Sequence, residues 1–454
     1  MGSLIFIILS GNLLAITGDS SLSWISPMYL RLKSTDPNIN PLGRPITRDE
    51  DGWLGSLVNI GAMVSPLLFG FICSKYGRRI SLLTISVPAL AAYVILAFAG
   101  DINSYYVARL LQGLTLGGEY AVLPMYVAEI TEDHNRGKMA ASLNVFWTLG
   151  TLLPYTTGPF LDVVTYNIFL ASFPLMFFVS FVILAPESPY FLVGVNRDDE
   201  AQRSLMKLRD ITDDKAKKEI ENIKYIISNE EKGTVLDLVK TASLSKTLAI
   251  SMVLIMVQQM TGYKAFLAYL EFIFSSTGSN IPGEISSIIF GLMLFLSSFI
   301  APLVADKLGR KFLLITSFTG LTISLLTMGI FFYLLNHTAI DTKAFDWLPL
   351  LCMAFFTIFY NMSTIVWTVI AELFPNNVRA PASSIASSFC ALVGFVLSKC
   401  FNDAMDILGI HGLFWIFGFI SLFGAIFTFF IVPETKGKSF SEIQDMLKKT
   451  RKSI

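Results

Sequence analysis

The sequence predicts an all-α integral membrane protein: twelve transmembrane helices in two pseudo-symmetric six-helix bundles, joined by a cytoplasmic helical linker. Three observations carry that expectation. The chain is 53% hydrophobic and only 15% charged over 454 residues, whereas soluble domains carry roughly 25% charged residues. Its apolar residues fall into twelve stretches long enough to cross a bilayer. A short block of charged motifs is written twice, once in each half.

A span needs about 20 mostly apolar residues. The twelve stretches are 4–30, 53–73, 80–99, 104–130, 138–160, 167–185, 247–275, 284–305, 312–335, 347–374, 380–404 and 411–432. Residues 186–246 differ: they are rich in charge of both signs, and Ile220, Ile223 and Ile227 recur at helical spacing. The expected organisation is a first bundle over 1–185, a linker over 186–246, a second bundle over 247–432 and a tail over 433–454. Basic residues set orientation. The segments on the linker side of the bilayer hold 26 of the 34 Lys and Arg, the opposite loops hold five, and Arg109, Lys264 and Lys399 fall inside spans. Both termini and the linker are therefore expected in the cytoplasm. The sequon Asn336-His337-Thr338 then lies outside, where Asn336 is a glycosylation candidate, while Asn361-Met362-Ser363 lies within the membrane.

The duplicated block is specific. Gly77-Arg78-Arg79 follows the second span and Asp306-Lys307-Leu308-Gly309-Arg310-Lys311 follows the eighth. Glu129 ends the fourth span, with Arg136 beyond it; Glu372 ends the tenth, with Arg379 beyond it. Pro186-Glu187-Ser188-Pro189 follows the sixth and Pro433-Glu434-Thr435 the twelfth. Corresponding positions are offset by 232, 243 and 247 residues, an internal duplication of a six-span unit. Transporters built from such repeats bind solute near the bilayer midplane. A glycine permits a tight loop at the membrane face, and Arg78, Arg79, Arg310 and Lys311 are expected to meet Glu129, Glu187, Glu372 and Glu434 in a cytoplasmic latch. The alternative is that these charges only mark topology.

In this block the chain resembles the sugar-porter family of the major facilitator superfamily. Trp24-Ile25-Ser26-Pro27 and Pro41-Leu-Gly-Arg-Pro-Ile-Thr47 resemble its insect facilitated trehalose transporter branch. The resemblance covers nearly the whole chain. It implies transport of a small solute, a trehalose or hexose sugar above all, by facilitated diffusion through alternating access, with the latch favouring the outward-open state. A member that carries another solute, or that senses sugar without transporting it, is the alternative. Ser74 stands where the family has Asp, so the first-half latch is expected to be the weaker.

The resemblance also names solute candidates. Gln258-Gln259-Met-Thr-Gly262-Tyr-Lys264 of the seventh span resembles the family's Gln-Gln-x-x-Gly-x-Asn run. Carboxamides offer both donor and acceptor to sugar hydroxyls, and Gly262 permits a break in the helix. Lys264 replaces the Asn: an intramembrane Lys is functional by default, binding an anionic solute, pairing with a carboxylate or silencing sugar binding, and the equal alternative is a Lys that reaches outward to the interface. Trp367 keeps an aromatic face in the tenth span, but the family's two prolines there are absent, so this helix is expected to be straighter or to bend differently. Cys390-Ala391 replaces an Asn-Trp pair, and Asn144 stands where Gln is usual. Asp19 lies two residues from the place where proton symporters of the family carry an Asp that pairs with the counterpart of Arg109. Glu119 is a second buried carboxylate. A static ion pair is the favoured reading over proton coupling.

Enzyme classes are not indicated. HExxH and GxSxG are absent, and His134, His337 and His411 are scattered near span ends. Four cysteines without a CxxC pair give no disulfide or zinc pattern. No catalytic residue, metal or cofactor is expected. The formal net charge of zero offers nothing to nucleic acid. The bilayer and a small solute are the expected partners, with no obligate protein partner.

Overall fold

The computed structural model describes residues 2–209, 211–229, 235–279, 281–305, 308–338, 342–436, 438 and 442. Helices make up the fold, and no strand occurs among the described residues. Each of the twelve expected spans is helical. In the first half they are α1 (Gly2–Ser23) with α2 (Ile25–Lys33), α3 (Arg48–Tyr76), α4 (Arg78–Phe98), α5 (Ile102–Ile130), α6 (Asp133–Thr157) and α7 (Val163–Leu184). Four short helices follow, α8 (Pro189–Gly194), α9 (Asp198–Arg209), α10 (Asp213–Asn229) and α11 (Val235–Lys240). The second half holds α12 (Ala242–Gln259) with α13 (Tyr263–Ser275), α14 (Gly283–Ala305), α15 (Arg310–His337), α16 (Leu348–Ser363) with α17 (Ile365–Leu373), and α18 (Asn376–Ile431).

By length and hydropathy alone, eight helical stretches among the described residues qualify as membrane spans, and one of them, Pro381–Ile431, covers 51 residues. At 1.5 Å per residue that is more than twice the roughly 30 Å of a hydrocarbon core. The surplus is resolved at Gly409, whose φ of +70° turns the chain between the eleventh and twelfth spans. The fourth span, α5, does not pass this test: Arg109, Gln112 and Glu119 dilute its hydropathy, and all three are buried inside the fold instead of facing lipid.

The chain forms two compact units. One comprises Met1–Trp24, Arg31–Ile46 and Leu57–Glu231; the other comprises Ile25–Leu30, Thr47–Ser56 and Lys232–Ile454. In the first, α1 packs on α5, α6 and α7, and α4 packs on α5 and α7. Leu14, Leu82, Ile85, Leu123, Tyr126, Phe177 and Phe181 fill its core. The residues on α10 at helical spacing, Ile220, Ile223 and Ile227, close a separate apolar cluster with Phe191, Ala201 and Leu205 of α8 and α9. In the second unit α15 packs on α16 and α18, α12 on α18, and α14 on α13 and α16. Large apolar side chains such as Leu67, Phe98, Ile183, Ile323 and Phe430 are exposed on helix surfaces, as lipid contact requires.

Two local signals seen in the sequence acquire a structural cause. Pro27 lacks an N–H to bond the carbonyl four residues back, and the first span breaks at Trp24, whose indole donates to Asn167 Oδ1 at 2.8 Å. The segment Pro41–Thr47 follows a loop built on Asn40, whose amide donates to the carbonyls of Leu32, Ser34 and Arg44.

Candidate functional site

The duplicated motifs build the same network in each half. Arg78 opens α4, and its guanidinium forks onto Glu129 at the end of α5, with Nε to Oε2 and Nη2 to Oε1 both at 2.9 Å. The backbone N–H groups of Arg78 and Arg79 donate to Glu187 at 2.8 and 3.1 Å. Ser188 donates its hydroxyl to Glu129. In the second half Arg310 opens α15 and donates to Glu372 at 3.2 Å. The N–H groups of Arg310 and Lys311 donate to Glu434 at 2.9 and 3.2 Å, and Thr435 donates to Glu372. Glu187 and Glu434 therefore sit at helix N-termini, where unpaired N–H groups and the helix dipole favour an anion.

The glycines are fixed by these carboxylates. A Cβ on Gly77 would lie 2.2 Å from the Glu187 carboxylate, and its φ is +105°. A Cβ on Gly309 would lie 2.2 Å from Glu434. Burial pushes Glu187 above the usual carboxylate value, against the pull of the N–H groups of Ser188, Arg79 and Arg78. Burial works against the charge of Arg78, but the hydrogen bond and charge of Glu129 outweigh it and hold the guanidinium above its ordinary value. Lys311 is lowered by burial, with Glu434 opposing.

Each of these described pairs closes within its own unit. The Arg78–Glu129 pair closes at 2.9 Å and the Arg310–Glu372 pair at 3.2 Å; Ser74 is exposed and donates back to Phe71 O. Arg379 donates to Phe374 O at 3.4 Å. Arg136 lies on α6, and Asp306 falls outside the described residues. The hydroxyls of Ser188 and Thr435 escape a reading of charges alone, although both halves repeat them directly after the Glu.

Four of the candidate solute residues, Gln258, Gln259, Lys264 and Trp367, lie on the two interrupted helices of the second unit. Gly262, at φ +84°, separates α12 from α13, and a Cβ there would strike Phe417 at 2.6 Å. Gln258 and Gln259 end α12, both buried. Gln258 Nε2 donates to Ser363 O at 3.3 Å, which is where α16 stops. The tenth span thus breaks without its prolines. The hydroxyls of Ser363 and Thr364 donate at 2.7 Å to the carbonyls of Tyr360 and Asn361, three residues back, and such local bonds compete with the helical ladder. Tyr263 and Tyr360 stack across the two breaks at 3.7 Å. Trp367, one turn beyond, is half-buried. Lys264 is half-buried.

In the first unit Asn144 is half-buried on α6. Arg109 is 1% exposed, donates to Ser21 O and Gln112 Oε1 at 2.7 Å, and lies over the Trp24 ring. Asp19 accepts from the Tyr120 hydroxyl. Glu119 is wholly buried against Gly18, with Asp19 as its acidic neighbour.

One sequence expectation is corrected. The histidines are not all scattered: His337 and His411 meet at 4.7 Å between ring centroids, flanked by Tyr333 and Trp415. The end of α15 and the start of the last span are neighbours in space, which spacing along the chain does not show. No group of three metal-ligating side chains occurs among the described residues. Asn336 is exposed at the end of α15, and Asn361 is buried, donating to Leu294 O.

A family model described as sugar (and other) transporter matches residues 34–447. The facilitated trehalose transporter Tret1 of Bombyx mori is 32% identical over 404 residues, covering 88% of this chain and 79% of that protein. The protein of the same name from Culex quinquefasciatus is 32% identical over 435 residues, with 94% and 82% covered. Among solved structures, an inward-open conformation of the xylose transporter XylE from E. coli superposes with a TM-score of 0.79 at 24% identity, covering 98% of this chain and 99% of that one. A partially occluded inward-open conformation of the same transporter gives 0.78 at 22% identity, covering 97% and 100%.

Proposed function

Since this chain belongs to the family of sugar (and other) transporters, we propose that it moves trehalose or a hexose across a membrane by facilitated diffusion through alternating access. The observation that supports this reading best is the pair of interrupted helices. At Gly262 the backbone turns left-handed and at Thr364 the ladder tightens to bonds three residues back, and irregular backbone within a span is tolerated where it lines a cavity or is covered by protein. Gln258, Gln259, Asn144 and the face of Trp367 supply the amide groups and aromatic surface that suit a sugar, and Lys264 adds a cation.

In this reading the Arg78–Glu129–Glu187 and Arg310–Glu372–Glu434 networks rigidify the cytoplasmic ends of the helices and favour the outward-open state. Neutralising Glu372 is expected to shift the inward and outward populations in an accessibility assay, and unchanged populations would remove the latch. Asp19, Arg109 and Glu119 form a static buried set rather than a proton path. Uptake is then indifferent to an uncoupler, and a collapse of uptake on adding one would restore proton coupling. Termini and linker face the cytoplasm of a cell whose plasma membrane holds the protein, with Asn336 glycosylated outside.

Radiolabelled glucose and trehalose uptake into reconstituted vesicles tests the proposal, with Lys264→Asn beside the parent. Robust uptake by both proteins is the expected result. The second reading, a member that binds sugar without carrying it, is favoured by Lys264 standing where the family has Asn. Uptake that appears only in Lys264→Asn would select it.

A further inference from the structure

A buried carboxylate remains that neither the motif networks nor the solute candidates use. Asp51 sits in the first turn of α3 and is 1% exposed. Its Oδ2 accepts from Asn402 Nδ2 at 2.5 Å, and its Oδ1 accepts from the Tyr269 hydroxyl at 3.4 Å. Asn402 Nδ2 also lies 3.4 Å from the Tyr269 hydroxyl, and Tyr29 of α2 hydrogen-bonds the same carboxylate. Tyr29 meets the Tyr269 ring edge-on at 5.1 Å, and Phe401 stacks on Tyr269 at 4.9 Å. Asn402, Tyr269 and Tyr29 are neutral donors, and their hydrogen bonds fix the direction of the Asp51 carboxyl.

The backbone is shaped for this contact. Arg48, Gly52 and Gly55 share a face of α3 with Asp51. A Cβ on Gly55 would lie 3.3 Å from the Tyr269 hydroxyl, and one on Gly52 would touch Lys399 at 3.4 Å. Around the rim Arg48 pairs with Asp403 at 2.8 Å and Asp406 at 2.5 Å. Lys399 pairs with Asp49 at 2.6 Å and covers the Trp53 ring at 4.3 Å. These rim pairs are largely exposed, and pairs of that kind hold weakly. The buried Asp51 cluster is the stronger tie. Residues 47–56 accordingly belong to the second compact unit, although α3 continues past them into the first.

Tyr269 lies on α13, the helix that follows the Gly262 break, and its own φ and ψ of −119° and 17° are non-helical. We propose that Asp51 is a positioning residue for transport: through Tyr269 and Asn402 it holds the outer half of the solute helix against the outer ends of the first two spans, and the external mouth opens only when this hold is released. The proposal rests on the transport reading and on the orientation that places residues 47–56 outside.

Ser56 reports on the closure, because it is wholly buried one turn beyond Asp51. A Ser56→Cys reporter is placed in a Cys400→Ser background, since Cys400 is the exposed native thiol, and labelled in vesicles with a membrane-impermeant maleimide. Asp51→Ala is expected to raise the labelling rate at least fivefold, and Asp51→Asn, which keeps an acceptor, to raise it less. Transport by Asp51→Ala is expected to change in kcat with KM altered less than twofold, because the group does not touch solute. If Asp51→Ala elutes as an aggregate, Asn402→Ala and Tyr269→Phe carry the same labelling test. Labelling within twofold of the parent in all folded variants, or a rise with Arg48→Ala but not with the Asp51 cluster variants, overturns the proposal. Labelling needs no transport, so a protein that takes up no sugar would refute the transport reading separately.

Discussion

Gly77 and Gly309 carry a constraint that charge alone would not impose. Both touch the carboxylate that closes their network, and Gly77 also holds a left-handed backbone. Gly77→Ala combines a backbone penalty of about 1–2 kcal/mol with displacement of Glu187, so a total loss of about 3 kcal/mol is expected. Gly309→Ala has an ordinary φ of −66° and meets only the contact with Glu434, so its loss is expected to be smaller. Thermal unfolding in detergent compares the two, and equal losses would remove the backbone term. Arg78→Lys keeps the charge but cannot fork onto Glu129, and is expected to cost more than the exposed-pair range of about 0–1 kcal/mol. The repeat of the motif showed that these residues matter; the distances show that the glycine is there for the glutamate.

At the scale of elements, helix ends and helix breaks decide most of the local behaviour. Asp101 caps α5 and Asp162 caps α7. The Ser104 hydroxyl, then its N–H, holds Asp101 below the ordinary carboxylate value; Thr165 does the same for Asp162. A carboxylate lowered in the folded state stabilises it above the ordinary value, and that contribution fades as pH falls through the lowered one. Stability is therefore expected to decline below the usual carboxylate range. Asp101→Asn with Asp162→Asn, which keeps two good caps, is expected to flatten that decline in a pH series of unfolding temperatures. The break of the tenth span tests a different force. Replacing Ser363 and Thr364 with Ala removes both hydroxyls that compete with the ladder, so the interruption is expected to close and uptake to fall on the order of tenfold, about 1.4 kcal/mol in the barrier. Unchanged uptake with an unchanged KM would show that the bend is incidental. The missing prolines are visible in the sequence, but the hydroxyls at the interruption were legible only once their carbonyl partners were placed.

For the whole molecule, the duplicated half-chain is the feature that both sequence and structure speak to. The chain is a sugar-transporter family protein with the major facilitator fold, and its two halves carry matching Arg–Glu networks, each inside its own compact unit. The Lys264→Asn comparison belongs at this scale, because it asks whether the drifted solute positions leave the transport cycle intact. The prediction is that both proteins transport, with sugar preference changed more than maximal rate.

Spans, orientation bias and the two motif copies were determined by the sequence itself, because they follow from local composition, period and repetition. Twenty apolar residues are a span wherever they occur, and Glu129 and Glu372 announce each other through the repeat. The contacts of His337 with His411 and of Asp51 with Asn402 across 351 positions were decided by tertiary structure alone. Such pairs depend on which helix faces meet, and no local pattern encodes a meeting between segments that far apart. The motif networks were legible because they were written twice; the Asp51 cluster occurs once, and only the fold brings its members together.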